Sequence, residues 1–210
     1  ANVKALRVER LSGDLSGVAL ADVPAPELGD GEVLVRVRAA SLNYPDLLMT
    51  RGGHQFKPEL PFTAGMELAG EVVEADAGSG FVPGDRVMGG AKTGAFAAFA
   101  VAPARSLRRM PERLDWSTAA SLGAADTTAY TALVELGGMR PGQSVLVHGA
   151  SGGVGLAACD LARALGARAI AATHDHGKIE RIRAAVSPEA AIVNRGRFRE
   201  EIAALTGGEL

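Results

Sequence analysis

Cysteine is nearly absent. Cys159 is the one thiol in 210 residues, which excludes a disulfide framework and a thiolate cage for zinc. It lies inside a run of good helix formers, where a thiol is more often buried and inert than nucleophilic. An excess of one charge is missing too: 22 Lys and Arg stand against 24 Asp and Glu, for a net −2. That balance offers no basic footprint for nucleic acid and no cationic face for a membrane. Apolar runs are too short to span a bilayer, and Ala1-Asn-Val-Lys-Ala5 lacks the apolar core of a secretion signal. A cytoplasmic location is expected. Internal repeats and low-complexity linkers are also absent. What remains is an ordinary globular composition, 47% hydrophobic and 22% charged, in a chain long enough for one large domain or two small ones.

Glycine, by contrast, is plentiful, with 27 residues, and it concentrates meaning in one stretch. Ser144 to Gly155 reads Ser-Val-Leu-Val-His-Gly-Ala-Ser-Gly-Gly-Val-Gly. Val145, Leu146 and Val147 suit a strand buried on both faces, as parallel strands are. The glycines at 149, 152, 153 and 155 make a turn whose backbone a ligand can approach closely. Leu156 to Leu165 is helix-forming, and Gly166 stops it. Strand, glycine turn and helix together place unpaired N–H groups and a positive dipole end where a pyrophosphate would sit. The competing reading is a tight turn with no ligand.

Upstream, from Val3 to about Val101, the texture is that of short strands punctuated by Gly and Pro. Glu32–Arg38 alternates valines with arginines, Glu67–Glu74 reads as a second strand, Pro83–Met88 as a turn into a third, and Gly94–Val101 as a further one. Such a series predicts a small barrel-like or sandwich domain. Near Trp116 the pattern changes to helices over 117–122 and 127–136, closed by Gly137-Gly138. After the glycine turn come strand 168–173, helix 178–185, strand 190–193 and helix 198–205, the signature of βαβ units on a parallel sheet. A dinucleotide fold needs two βαβαβ halves, and Ser144 to Leu210 supplies the first. The chain is therefore expected to be a fragment of a longer protein.

Several stretches agree on one family. Ala40-Ser-Leu-Asn-Tyr-Pro-Asp-Leu-Leu48, Arg51-Gly52, Pro61-Phe-Thr-Ala-Gly-Met-Glu-Leu-Ala-Gly70, Pro83-Gly-Asp-Arg-Val87, Thr128-Ala-Tyr-Thr-Ala-Leu133 and Val145–Gly155 carry the match. The chain resembles the zinc-independent quinone oxidoreductase branch of the medium-chain dehydrogenase/reductase superfamily. The resemblance implies an α/β protein. A GroES-like β-rich catalytic domain (1–120) would precede a Rossmann-type parallel α/β sheet (121–210) of which the first half is present. Zinc-dependent relatives place Cys near Asn43 and Gly-His-Glu where this chain has Gly65-Met66-Glu67. Without those ligands a tetrahedral zinc site is not expected. His174 and His176 have no third ligand in view, so no metal is expected there.

The implied activity is hydride transfer from a nicotinamide cofactor to a quinone or an α,β-unsaturated carbonyl. An enoyl- or acryloyl-CoA reductase on the same scaffold is the near alternative. A nucleotide-binding protein without turnover and a truncated, non-catalytic chain are the readings from other classes. The implied cofactor contacts are Thr128, Ala150, Ser151, Gly152, Gly153, Val154, Thr173, His174, Lys178 and Arg195. Ala150 stands at the first glycine position of G-x-G-x-x-G, a substitution common in this branch. NAD-preferring members carry an acid at the end of the second strand; Thr173 and His174 stand there instead. Lys178 and Arg181 suit a 2′-phosphate or are simply an exposed helix face, and Asp175 suits a ribose. NADPH is expected ahead of NADH. Asn43 and Tyr44 are the implied catalytic residues, donating to the substrate oxygen as negative charge develops; alternatively Tyr44 caps a short helix and solvent supplies the proton. Thr128 meets the nicotinamide or its phosphates, or bonds to its own backbone. Asp46 and Arg51 are expected to hold the first domain together. A small-molecule substrate, no nucleic acid, no membrane and a homodimer complete the expectation.

Overall fold

The computed structural model describes residues 1–196 and 198–208. It divides into two compact units, Ala1–Gly123 and Ala124–Leu210. Among the described residues, no helix is long and apolar enough to cross a membrane.

The first unit is antiparallel. Its strands are β1 (Asn2–Val8), β2 (Val18–Pro24), β3 (Glu32–Ser41), β4 (Phe62–Thr63), β5 (Glu67–Ala75), β6 (Arg86–Gly90), β7 (Phe99–Pro103) and β8 (Leu107–Arg109). They form a three-stranded sheet, β2-β1-β4, and a five-stranded sheet, β7-β3-β5-β6-β8. The alternation over Glu32–Arg38 does what period two demands. Val33 and Val35 are fully buried while Arg36 is exposed, and Val35 lies opposite Val72 of β5 and Ala100 of β7. With Leu68, Val87, Ala102 and Leu107 they form the core. Two register shifts, at Leu34/Val35 and Val37/Ala39, bend β3 against β5. Helix α1 (Tyr44–Thr50) follows β3 directly, and α2 (Trp116–Ser121) ends the unit, capped by Asp115, whose carboxylate accepts from Thr118 N–H at 2.9 Å.

The strand expected over 94–101 is displaced, because β7 begins at Phe99. Gly94 sits at φ 105, and the residues after it bridge the two sheets rather than run in one ladder. Ala95 and Phe96 donate to Gly65 and Ala64 carbonyls, and Ala98 to that of Lys4. Local hydrophobicity is the same for a bridge and a strand, so periodicity did not separate them.

The second unit opens with α3 (Ala124–Tyr130), which runs on into a π-helical turn, Thr131–Leu136, ended by Gly137 and by Gly138 at φ 58. Strands β9 (Ser144–His148), β10 (Arg168–Thr173) and β11 (Ala190–Val193) alternate with α4 (Gly153–Ala164), α5 (Ile179–Val186) and α6 (Phe198–Thr206). The strands are parallel in the order β11-β10-β9. Strand β10 shows why both faces must be covered. Ala169 and Ala171 pack with Cys159, Ala162, Ile182 and Val186 of α4 and α5, whereas Ile170 and Ala172 pack with Ile192 and Ile202 of β11 and α6. Each large aliphatic side chain buried this way contributes roughly 1.5–3 kcal/mol. The β-rich first unit and the parallel sheet of the second give the expected α/β architecture. Among the described residues β9 pairs with β10 alone, leaving its other edge unpaired.

Candidate functional site

The turn after β9 is built from glycines that serve different ends. Gly149 takes the left-handed conformation, φ 65, and Ala150 does not. Ala150 is fully buried and its N–H donates to Ala172 O at 3.1 Å, tying the turn to β10. A Cβ at Gly155 would collide with the Gly149 carbonyl oxygen and lie 2.7 Å from Ala150 Cα, so close packing of helix on strand demands glycine there. Gly152 and Gly153 are different. A Cβ at 152 would lie 3.5 Å from Gly149 O, one at 153 would lie 4.0 Å from Ala125 Cβ, and Gly152 has an extended backbone at φ −88, ψ 168. The protein's own packing does not require glycine at either position. Both are exposed.

Gly152 is the N-cap of the 12-residue α4 and supplies no side-chain cap. The first intrahelical bond runs from Leu156 N–H to Gly152 O at 2.9 Å. The N–H groups of Gly153, Val154 and Gly155 therefore have no intrahelical acceptor, and they stand at the positive end of the helix dipole. Val154 is half exposed and Ser151 lies partly buried beside it. An uncapped, glycine-open helix N-terminus at the carboxyl end of a parallel strand fits a pyrophosphate. Thr128, on α3, donates its hydroxyl hydrogen to Ala124 O at 2.7 Å. Towards a ligand it presents only an acceptor.

At the end of β10, Thr173 is 3% exposed and its hydroxyl accepts the Asp175 N–H at 3.3 Å, so it shapes the loop from beneath. Asp175 accepts Gly177 N–H at 2.9 Å and stands 4.0 Å from Lys178. Lys178, Arg181 and Arg195 are all exposed. His174, also exposed, bonds through Nδ1 to Asn194 Oδ1 at 2.5 Å, and Asn194 Nδ2 lies 3.3 Å from His148 Nδ1. Residues 148, 174 and 194 end or directly follow the three parallel strands. The sequence reading included His174 but missed Asn194 and His148. Their signal was position, since ligands of open α/β sheets gather at the carboxyl ends of strands.

In the first unit the candidate catalytic pair sits at the start of α1. Asn43 is its N-cap, and Pro45 favours the first turn. Asp46, 3% exposed, accepts the Asn43 N–H at 2.8 Å through Oδ2, while its Oδ1 has no hydrogen-bond partner among the described residues. Burial pushes the Asp46 carboxyl above the usual aspartate range, against the pull of the Asn43 N–H, and the neighbouring Glu67 charge adds to the rise. Asn43 Nδ2 donates to Glu67 Oε2 at 3.0 Å, and Glu67 is itself 3% exposed. Tyr44 is 69% exposed, and among the described residues its hydroxyl has no hydrogen-bond partner. Asn43 is thus held at both its main chain and its amide, and Tyr44 carries the free donor. Arg51 follows α1 as its C-cap, exposed. Met66, at the position where a zinc-dependent relative has histidine, packs against Val8, Met49, Phe62 and Ala64. Among the described residues, no group of three or more His, Cys, Asp or Glu is placed to hold a metal.

Known proteins share this layout. The alcohol dehydrogenase GroES-like domain family matches residues 29–112. Human quinone oxidoreductase is 39% identical over 182 residues, covering 84% of this chain and 55% of that protein. A probable oxidoreductase from Mycobacterium abscessus superposes with a TM-score of 0.94 at 36% identity, covering 99% of this chain and 67% of that one. The quinone oxidoreductase of Thermus thermophilus, solved also in complex with NADPH, gives a TM-score of 0.80 at 33% identity, covering 96% and 62%. A glycine turn feeding a helix, on a parallel sheet that follows a GroES-like β unit, is the layout of an alcohol dehydrogenase-like oxidoreductase. The chain belongs to the medium-chain dehydrogenase/reductase superfamily, in its quinone oxidoreductase branch. It spans about half, 55%, of the length of the human relative.

Proposed function

We propose that this chain carries the cofactor-binding and substrate-activating residues of a zinc-independent, NADPH-dependent oxidoreductase acting on a quinone or an α,β-unsaturated carbonyl. The observation that carries this reading is the uncapped N-terminus of α4, with Gly152 and Gly153 open to a ligand where the protein itself does not need glycine. The N–H groups of residues 153–155 receive the pyrophosphate, with Ala150, Ser151 and Val154 shaping the turn and Thr128 offering an acceptor. Thr173, His174, Lys178 and Arg195 surround the place where the 2′ end would lie. A nicotinamide cofactor held by these residues would supply the hydride. As the substrate carbonyl oxygen gains negative charge, the exposed Tyr44 hydroxyl would donate a hydrogen bond to it. Asn43, whose amide is engaged by Glu67, fixes the start of the helix that presents Tyr44.

In this reading residues 1–120 are the catalytic domain and 121–210 the nucleotide domain, in a protomer of a homodimer. The test is a titration of the 210-residue chain with NADPH and NADH, followed by nicotinamide fluorescence. NADPH oxidation is then assayed with a quinone and an enone. Saturable binding that is tighter for NADPH is expected. No binding of either nucleotide would overturn the reading.

A further inference from the structure

One cavity of the first unit belongs to neither the glycine turn nor the start of α1. It holds about 310 Å³ and lies between β1, β2 and β4 of one sheet and β7 of the other. Register builds its floor. Leu6 and Val8 of β1 pack with Phe62 and with Met49 of α1. Period two therefore turns Val3 and Arg7 to the opposite face of the sheet, away from α1 and Tyr44. On that face Val3 stands across from Val23 of β2, and Arg7 across from Thr63 of β4. The far wall is the segment that bridges the two sheets, with Thr93, Gly94 and Ala97, continued by Phe99 and Val101 of β7. Main-chain bonds fix this wall: Gly94 N–H donates to Thr63 O at 2.9 Å, and Ala98 N–H to Lys4 O at 2.9 Å. Pro24 and Pro26, each with φ locked by its ring, complete the lining. The cavity is thus preformed and mostly apolar, with a single charged side chain in its wall.

That side chain, Arg7, is underused. Elsewhere Arg38, Arg109, Arg163 and Arg183 hold carboxylates at 2.6–3.1 Å. Arg7 reaches Glu9 only at 4.0 Å, the limit of an ion pair, and the Thr63 hydroxyl at 3.5 Å. The Glu9 side chain is 58% exposed and that of Arg7 25%, so the acid stands in water while the guanidinium belongs to the cavity wall. A guanidinium presents five N–H donors in a rigid fork that matches a carboxylate, and the Thr63 and Thr93 hydroxyls lie in the same lining. We propose that this cavity is a binding site for a small carboxylic acid with an apolar body. The carboxylate pairs with the Arg7 fork, and the body lies against Val3, Val23, Phe99 and Val101. An inorganic anion would leave those walls in water, and a neutral apolar molecule would leave the fork without its match. The site is separate from the proposed oxidoreductase chemistry and does not depend on it.

The experiment adds phenylacetate to the chain and follows the backbone amides by nitrogen–proton NMR. Shifts at Val3, Arg7, Val23, Thr63, Gly94 and Val101 should saturate together, with a Kd of about 1 mM or below. Phenylacetamide has the same shape without the charge and should bind about tenfold more weakly, the gain of a charge-assisted over a neutral hydrogen bond. Acetate keeps the charge without the apolar body and should also bind about tenfold or more weakly. Arg7→Gln should erase the preference for phenylacetate over phenylacetamide, and Arg7→Lys, which keeps the charge and loses the fork, should retain part of it. That preference is a ratio measured within one variant, so a general loss of stability does not imitate its disappearance. Equal affinity for phenylacetate and phenylacetamide, a preference unchanged in Arg7→Gln, shifts centred on Tyr44 or on residues 152–155, or no saturable shift at all would each overturn the proposal.

Discussion

Substituting alanine at two glycines three positions apart should give opposite results, because one is closed in by the protein's own backbone and the other is open to the place proposed for the pyrophosphate. At Gly155 the added methyl meets the Gly149 carbonyl oxygen and Ala150 Cα, at 2.7 Å for the latter. Both are main-chain atoms of the turn and cannot rotate aside. Overpacking of this kind costs about 1–3 kcal/mol. At Gly152 the nearest atom is 3.5 Å away and the backbone is extended. Alanine is a poorer N-cap than glycine, a loss of about 0.5 kcal/mol. Restricting the unfolded chain offsets it by about 0.4–1 kcal/mol. Gly152→Ala should thus be close to neutral. Amide hydrogen exchange along α4 measures the difference directly, since local opening reports local stability. Exchange in Gly155→Ala should exceed that in Gly152→Ala by about fivefold or more, the equivalent of 1 kcal/mol. Nucleotide titration should order them the other way in their specific effect. Gly152→Ala, with unchanged exchange, should lose NADPH affinity by about tenfold or more, because its methyl occupies the approach of the pyrophosphate. Unaltered NADPH affinity in Gly152→Ala would refute the reasoning, as would normal α4 exchange in Gly155→Ala.

Other consequences are open to direct measurement. Because the folded Asp46 carboxyl titrates above its ordinary value of 3.8, the folded state holds that proton to higher pH than the unfolded chain does. Its contribution to stability therefore declines as pH rises from about 4 through the folded pKa. Asp46→Asn should flatten that decline, seen by urea denaturation across pH, and an unchanged slope would count against burial as the cause. Asn43→Ala should cost about 1–3 kcal/mol, since the buried Glu67 carboxylate loses a donor, whereas Tyr44→Phe at an exposed site should stay within about 0.5 kcal/mol. In turnover assays Tyr44→Phe should lower kcat without altering nucleotide binding. Burial lifts the Cys159 thiol to about 11, so a thiol reagent at pH ~8 should label it only after denaturant is added.

Much of the architecture was legible because it depends on local pattern. The valine alternation of β3, the run of β10 and the glycine that ends α4 each follow from side-chain period or backbone freedom over a few residues. Strand 168–173 and strand 190–193 coincide with β10 and β11. Residues 94–98 were misread because bridging two sheets is decided by distant partners, the carbonyls of Lys4, Ala64 and Gly65. The candidate site divides in the same way. Its glycines were legible as a group, but which of them the protein's own packing requires depended on the position of the Gly149 carbonyl. The short helix after Asn43 was legible, but Asn43 and not Tyr44 is its N-cap. The engagement of Asn43 by Glu67, 24 positions away, and the bridge from His148 through Asn194 to His174 arise from strand register, which sequence spacing does not encode.

The division of labour between Gly149 and Ala150 has a consequence for how such turns vary. Conformational freedom is concentrated in Gly149, so the next position is freed from any backbone requirement and answers only to volume. Ala150, with no exposed surface, fills its site with a single methyl. Serine should be admitted there and valine refused. The first letter of the fingerprint is then a size limit rather than a demand for glycine, and a turn of this kind tolerates spelling changes that a literal G-x-G-x-x-G rule would reject.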